Sequence, residues 1–138
     1  MAATFRLRVL ASNKPFYEGD CVSLTVPTLD GAWEILAHHS NMIAALVPGV
    51  LIGKFPSSPS QTAAVSGGII KVEDNEVLVL VDTAERPEEI DANRALRAEA
   101  QAREAMLQKK SFVEYKEAQA TLARALTRLR VRSAYKRR

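Results

Sequence analysis

Arg124 and Arg128 stand four residues apart in LARALTRLRV. On a helix that spacing projects both from one face, where their planar guanidinium forks can take phosphate oxygens. Asp91, in EEIDANRAL (88–96), is placed to cap a helix by accepting from the free N–H groups of its first turn. The other chemistry-bearing residues point away from catalysis. His38-His39 are the only histidines, and adjacent residues cannot face one ion as an i,i+4 pair does, so a loop contact to a partner suits them better. Cys21 has no histidine or basic pair nearby and reads as a buried or edge thiol. Gly67-Gly68 leads into IIKV without the glycine spacing or Gly-Lys-Ser/Thr ending of a phosphate loop. No Ser/His/Asp set and no paired carboxylates are identifiable. The chain reads as non-catalytic, with no metal site.

The elements that must hold these residues fall into two parts. A chain of 138 residues fits one domain, or a small domain with an appendage, and an apolar content of 47% is that of a folded protein. No uninterrupted apolar run is long enough to span a membrane; the nearest, MIAALVPGVLIG (42–53), is broken by Pro48-Gly49. MAATFRLRVL carries arginines where an export signal needs an apolar core. One cysteine excludes an internal disulfide and fits a reducing compartment. The charge is lopsided. Residues 1–87 carry 6 basic against 9 acidic side chains, and residues 88–138 carry 13 against 7. The second part therefore suits an acidic partner.

Residues 1–87 alternate like strands. Phe5, Leu7 and Val9 interleave with Arg6 and Arg8, and Val22, Leu24 and Val26 repeat the pattern up to Pro27. TLDG (28–31) is a hairpin connection, since Asp-Gly tolerates positive φ. AWEIL, MIAAL, VLIGKF, TAAVS, IIKV and VLVLV continue the series. Eight to ten short strands with no helix-length segment between them predict an antiparallel β-sandwich or flattened barrel. Residues 88–138 read as two helices. From Ala92 to Lys110 there is no glycine, proline or β-branched residue, and Ser111 with Glu114 forms an S-x-x-E cap for a second helix running to about Arg132. The fold class is α+β: an N-terminal sandwich, 1–87, followed by a C-terminal antiparallel αα-hairpin, 88–138. Its inner face pairs Ala92, Ala95, Ala98 (or Leu96), Ala102, Ala105 and Met106 with Ala118, Leu122, Ala125, Leu126 and Leu129. Alanines bury about one methyl each, near ~0.8 kcal/mol against ~1.5–3 for a leucine, so the hairpin should dock and undock at modest cost.

In this order the local motifs FYEGD (16–20), VPTLDG, the IL-x-x-H loop with His39, ALVPGVL, AVSGG (64–68), VLVLVDTAERPEEID, IDANRA and LARALTRLRV resemble, over about 130 residues, the epsilon subunit of the F-type ATP synthase. The resemblance implies a non-catalytic rotor subunit of a proton- or sodium-translocating synthase. Its sandwich would grip the gamma subunit and the ring of c subunits, with Asp30, Gly31, His39 and Ser40 as contact residues. Its hairpin would fold on the sandwich or extend into the alpha/beta head, blocking hydrolysis through Arg124, Arg128, Arg130 and Arg132. No cofactor is required. Regulatory ATP is implied at Glu85, Ile90, Asp91, Arg94, Ala95, Arg124 and Arg128, with Gln101 where the family has another arginine. There Asp91 would accept from the adenine amino group; Asp91 as a helix cap, Arg94 as a solvated first-turn residue and Ala95 as hairpin packing explain the motif without nucleotide, and that reading is preferred. Two departures, Glu34 after Gly31 and Ser40-Asn41 after His39, fall on the end of the sandwich that the resemblance gives to ring and gamma.

The implied location is the cytoplasmic face of a bacterial inner membrane, or a plastid thylakoid, with membrane association only through the complex. Two other readings stand beside the brake. One is a coupling adaptor whose hairpin never inhibits. The other is a nucleic-acid module using the seven Lys/Arg of residues 124–138, disfavoured because Tyr135 is their only aromatic and the sandwich is acidic.

Overall fold

The computed structural model describes residues 2–12, 14–108 and 111–136. Ten strands come first: β1 (Phe5–Ala11), β2 (Lys14–Cys21), β3 (Ser23–Thr28), β4 (Gly31–Leu36), β5 (Met42–Leu46), β6 (Gly49–Lys54), β7 (Gln61–Val65), β8 (Gly68–Glu73), β9 (Glu76–Val81) and β10 (Ala84–Glu85). A short 3-10 turn, Pro87–Glu89, leads to α1 (Ala92–Gln108) and α2 (Phe112–Lys136). The strands form two five-stranded sheets, ordered β2-β1-β9-β8-β5 and β10-β7-β6-β3-β4. The sandwich expected from the alternation is present. Among the described residues all pairings are antiparallel but one: β1 runs parallel to β9, in register from Arg6↔Glu76 to Ala11↔Val81. That pair needs no βαβ crossover, because the whole intervening sandwich is the connection.

Alternation sets the core. Phe5, Leu7 and Val9 point inward from β1, Ile70 and Val72 from β8, Val77 and Val79 from β9, and Leu24, Val26, Ile35, Leu51 and Val65 meet them from the second sheet. The core draws only on residues up to Ala84 of β10, so the sandwich does not need the helices to close it. The TLDG connection is the expected hairpin: Leu29 and Asp30 make the turn and Gly31 takes φ +110, a conformation open to glycine.

Both helix starts are capped as the sequence requires. Asp91 Oδ1 accepts from the Arg94 N–H at 3.1 Å, and Ser111 Oγ from the Glu114 N–H at 3.0 Å. Ala95, Ala102, Ala118 and Ala125 are buried, as the alanine seam predicts, whereas Leu96 and Ala105 face solvent. The second helix runs one turn beyond Arg132, since Ser133 and Ala134 do not break it and Tyr135 lies against Arg132. The expected joint at KKS lies outside the described residues except for Ser111.

Cys21 ends β2 fully buried, its thiol against the carbonyls of Ser23 at 3.1 Å and Lys54 at 3.4 Å. Burial pushes the thiol up to about 11, against a smaller pull down from the backbone hydrogen bonds around it. A raised pKa favours the neutral thiol, so this stabilising term is complete below the unfolded pKa of about 8.5 and fades as pH climbs toward 11. The native protein should therefore resist alkylation at pH 8, with labelling paced by unfolding. Labelling at the rate of a free thiol in native buffer would overturn this.

Candidate functional site

The basic helix meets the sandwich at one patch. α2 lies over the outer face of the second sheet, across β6, β7 and the 3-10 turn. Arg128 Nε pairs with Glu85 Oε1 at 2.5 Å, both side chains being partly covered. One turn on, Val131 is buried with Ile90, Ala64 and Val50. Arg132 Nη1 donates to the Pro87 carbonyl at 3.2 Å, its guanidinium lies 5.7 Å from the Tyr135 ring, and its Nε is buried without a partner among the described residues. Thr127 is buried too, bonding back to the Ala123 carbonyl at 2.9 Å.

The segment that carries this patch is itself tied down. Arg86 donates through Nη2 to the Phe16 carbonyl at 2.7 Å, and its guanidinium sits 4.2 Å from the Phe16 ring centre. Its backbone N–H and its Nη1 both reach Glu89 Oε1. The polypeptide is thus pinned to β2 immediately before it turns toward the helices.

The sequence-derived residues separate into two groups. Glu85, Arg124 and Arg128 come together with Ser66, Thr83 and Thr127 around a crevice of about 10 Å³, and Arg124 also donates to Thr121 at 3.2 Å. Ile90, Asp91, Arg94 and Ala95 lie at the start of α1: Ile90 and Ala95 are buried, Asp91 is occupied as the cap, and Arg94 and Arg130 are exposed. Val131 and Thr127 were not among the expected residues. The signal that could have found them is the 124–127–128–131 spacing, a second stripe on α2 facing away from α1.

The TLDG turn and the His39 loop lie at opposite ends of β4. Asp30 precedes β4 and Gly31 opens it, whereas His39 and Ser40 follow its end, so the length of the strand, roughly 17 Å, separates them. Glu34 lies between, inside β4 rather than at the end of the sandwich expected for it. The His39 loop is braced instead by the β8–β9 turn: the His38 N–H donates to Asn75 Oδ1 at 2.7 Å and the Asp74 N–H to Asn41 Oδ1 at 3.0 Å. His39 Nδ1 lies 2.8 Å from the Ser40 carbonyl.

Residues 4–87 match the family described as ATP synthase, Delta/Epsilon chain, beta-sandwich domain, and residues 88–132 its long alpha-helix domain. An ATP synthase epsilon chain of Clostridium novyi is 41% identical over 129 residues, covering 94% of this chain and 98% of the relative. One of Caldanaerobacter subterraneus subsp. tengcongensis is 38% identical over 135 residues, 98% of each. Among solved structures, a chain of the Euglena gracilis mitochondrial ATP synthase superposes with a TM-score of 0.80 at 22% identity, over 99% of this chain and 83% of that one.

Proposed function

We propose a function on the premise that this chain belongs to the ATP synthase delta/epsilon chain family, as a non-catalytic epsilon chain of the central stalk. The sandwich anchors it to the gamma subunit and the c-ring, with Asp30, Gly31, His39 and Ser40 among the contacts. The helical hairpin leaves the sandwich, extends toward the alpha/beta head and slows ATP hydrolysis, with Arg124, Arg128, Arg130 and Arg132 meeting acidic surface there. The protein works at the cytoplasmic face of a bacterial inner membrane, held there by the complex; no described helix is long and apolar enough to cross a bilayer.

The observation that carries this reading is the slender attachment of the hairpin. Among the described residues, one partly exposed ion pair, one buried valine, a buried threonine beside Ser66 and Thr83, and one guanidinium–carbonyl bond join it to the sandwich and the turn that follows it. A surface pair contributes up to ~1 kcal/mol and a buried valine ~1.5–3, within reach of the roughly 5.5 kcal/mol that reverses a 1:99 population.

Regulatory ATP is part of the same proposal. The donor set of Arg94, Arg124 and Arg128 suits a triphosphate, but the docked crevice is far below the roughly 300 Å³ that a ligand pocket needs. Nucleotide therefore needs Arg128 to turn from Glu85 to the phosphates while the hairpin stays folded on the sandwich, with the segment Ile90-Asp91 and Ala95 beside it, so that bound ATP favours the compact, non-inhibitory state.

The test is ATP hydrolysis by the cognate catalytic head lacking this subunit, titrated with the full chain and with a version ending at Glu89, at low and high ATP. The shorter version keeps every residue of the sandwich core. Inhibition by the full chain alone, relieved at high ATP, is the expected result. Binding by both without inhibition makes the protein a coupling anchor with a passive hairpin, and binding by neither sinks the proposal.

A further inference from the structure

The contacts that dock the hairpin lie on the last turns of α2. Arg128, Val131 and Arg132 share one helical face and reach Glu85, Ile90 and the Pro87 carbonyl in turn. α1 packs on α2 and owes its place largely to it. Ile90 is the unusual member of this set. With Asp91 it forms the two-residue step between the 3-10 turn and α1, extended at φ −83, ψ 123. Arg86 pins the chain just before that step, so a swing of α1 has to be absorbed at Ile90-Asp91. Yet the Ile90 side chain is only 4% exposed, packed with Val131 from the far end of the chain.

We propose that the last turns of α2 are a latch that gates the Ile90-Asp91 hinge. Release of the hairpin starts at the C-terminal end of α2, and α1 swings only after Val131 has left Ile90. The proposal rests on the reading of the hairpin as a moving part and adds the order in which it moves.

The obvious rival is a hairpin that peels from its tip. The seam is thin there, since Ala102 and Ala118, like Ala95 and Ala125 nearer the hinge, bury little more than a methyl each. Leu107, Phe112 and Val113 there are largely exposed. Fraying at the tip nonetheless leaves Ile90 covered, because the end of α2 is fixed independently by Glu85 and the Pro87 carbonyl. Turning the Ile90 backbone while its β-branched side chain is gripped would drive that side chain into Val131 and Ala64. The latch is also built to open. The Arg132 Nε is buried without a partner among the described residues, and undocking returns that donor to water.

Amide hydrogen exchange on the full chain separates the two orders. The reporters are the Ile90 N–H, bonded to the Pro87 carbonyl, and the Ala95 N–H, bonded to the Asp91 carbonyl. Val131→Ala and, independently, Arg132→Gln should speed exchange at both reporters roughly tenfold, while amides of Ile70 and Val79 in the sandwich keep wild-type rates. Ala118→Gly should speed exchange near the tip and leave Ile90 unchanged. An Ile90 amide that stays protected in both latch variants, or that opens as far in Ala118→Gly, overturns the proposal. The hydrolysis titration is read separately. If hinge exchange follows the latch while no version inhibits, the latch stands and the brake falls.

Discussion

Gly68→Ala should destabilise the sandwich by about 3 kcal/mol, a large effect for a single methyl. Gly68 opens β8 and is paired on both sides, with Val81 of β9 and Leu46 of β5. A Cβ there would stand 1.9 Å from the Leu80 carbonyl oxygen and 2.9 Å from the Val81 Cα. Both obstacles are backbone, so no rotamer change clears them. β8 and β9 have to part locally, and β9 is also bonded to β1, so the strain spreads across the centre of the first sheet. Urea unfolding measures it: the midpoint should fall with the slope unchanged. A loss under about 1 kcal/mol would mean that the strands separate freely and the close approach is unimportant.

The second large effect is expected at Asn75, where Asn75→Ala should cost roughly 2–4 kcal/mol. The residue takes φ +64 in the β8–β9 turn, a backbone that costs a non-glycine side chain about 1 kcal/mol or more and asparagine least. Its side chain joins three segments, accepting from the His38 N–H and donating through Nδ2 to the Thr4 carbonyl at 3.0 Å. Each such bond contributes about 1 kcal/mol. Asn75→Gly restores the backbone freedom but not the bonds, so it should recover only part of the loss. Thermal unfolding of the two variants separates backbone strain from bonding. Equal, wild-type-like melting of both would sink the account. The loop that holds His39 and Ser40 should also loosen in both, seen as faster exchange of the His38 amide.

These two positions mark where the sequence stops being readable. Gly67-Gly68 reads correctly as a break between strands, but that Gly68 sits inside the sheet depends on Leu80, twelve residues later. Asp74-Asn75 reads as a connection, yet its tie to His38 is a contact across 37 positions that no periodicity encodes. Local signals carried more. Alternation placed the strands, and Asp91 and Ser111 placed both helix starts, because each depends on neighbours within one turn. The candidate site was legible in the same measure. The 124–128 spacing marked the right face of α2, while Glu85 as the partner of Arg128 and Val131 as the cover of Ile90 arise only when the helix has been laid on the sheet. The parallel pairing of β1 was invisible for the same reason: nothing near residue 5 announces residue 77.

That pairing has a consequence for how the protein is made. β1 lies between β2 and β9, so the first strand to leave the ribosome has one edge open until residue 81 has followed it. Until then the chain can hold local hairpins but not a closed sheet. The ground on which α2 rests needs β10 and the 3-10 turn, which come later still. Synthesis therefore runs anchor first: the basic helices emerge after the sandwich, so the acidic half can fold before the arginines reach it.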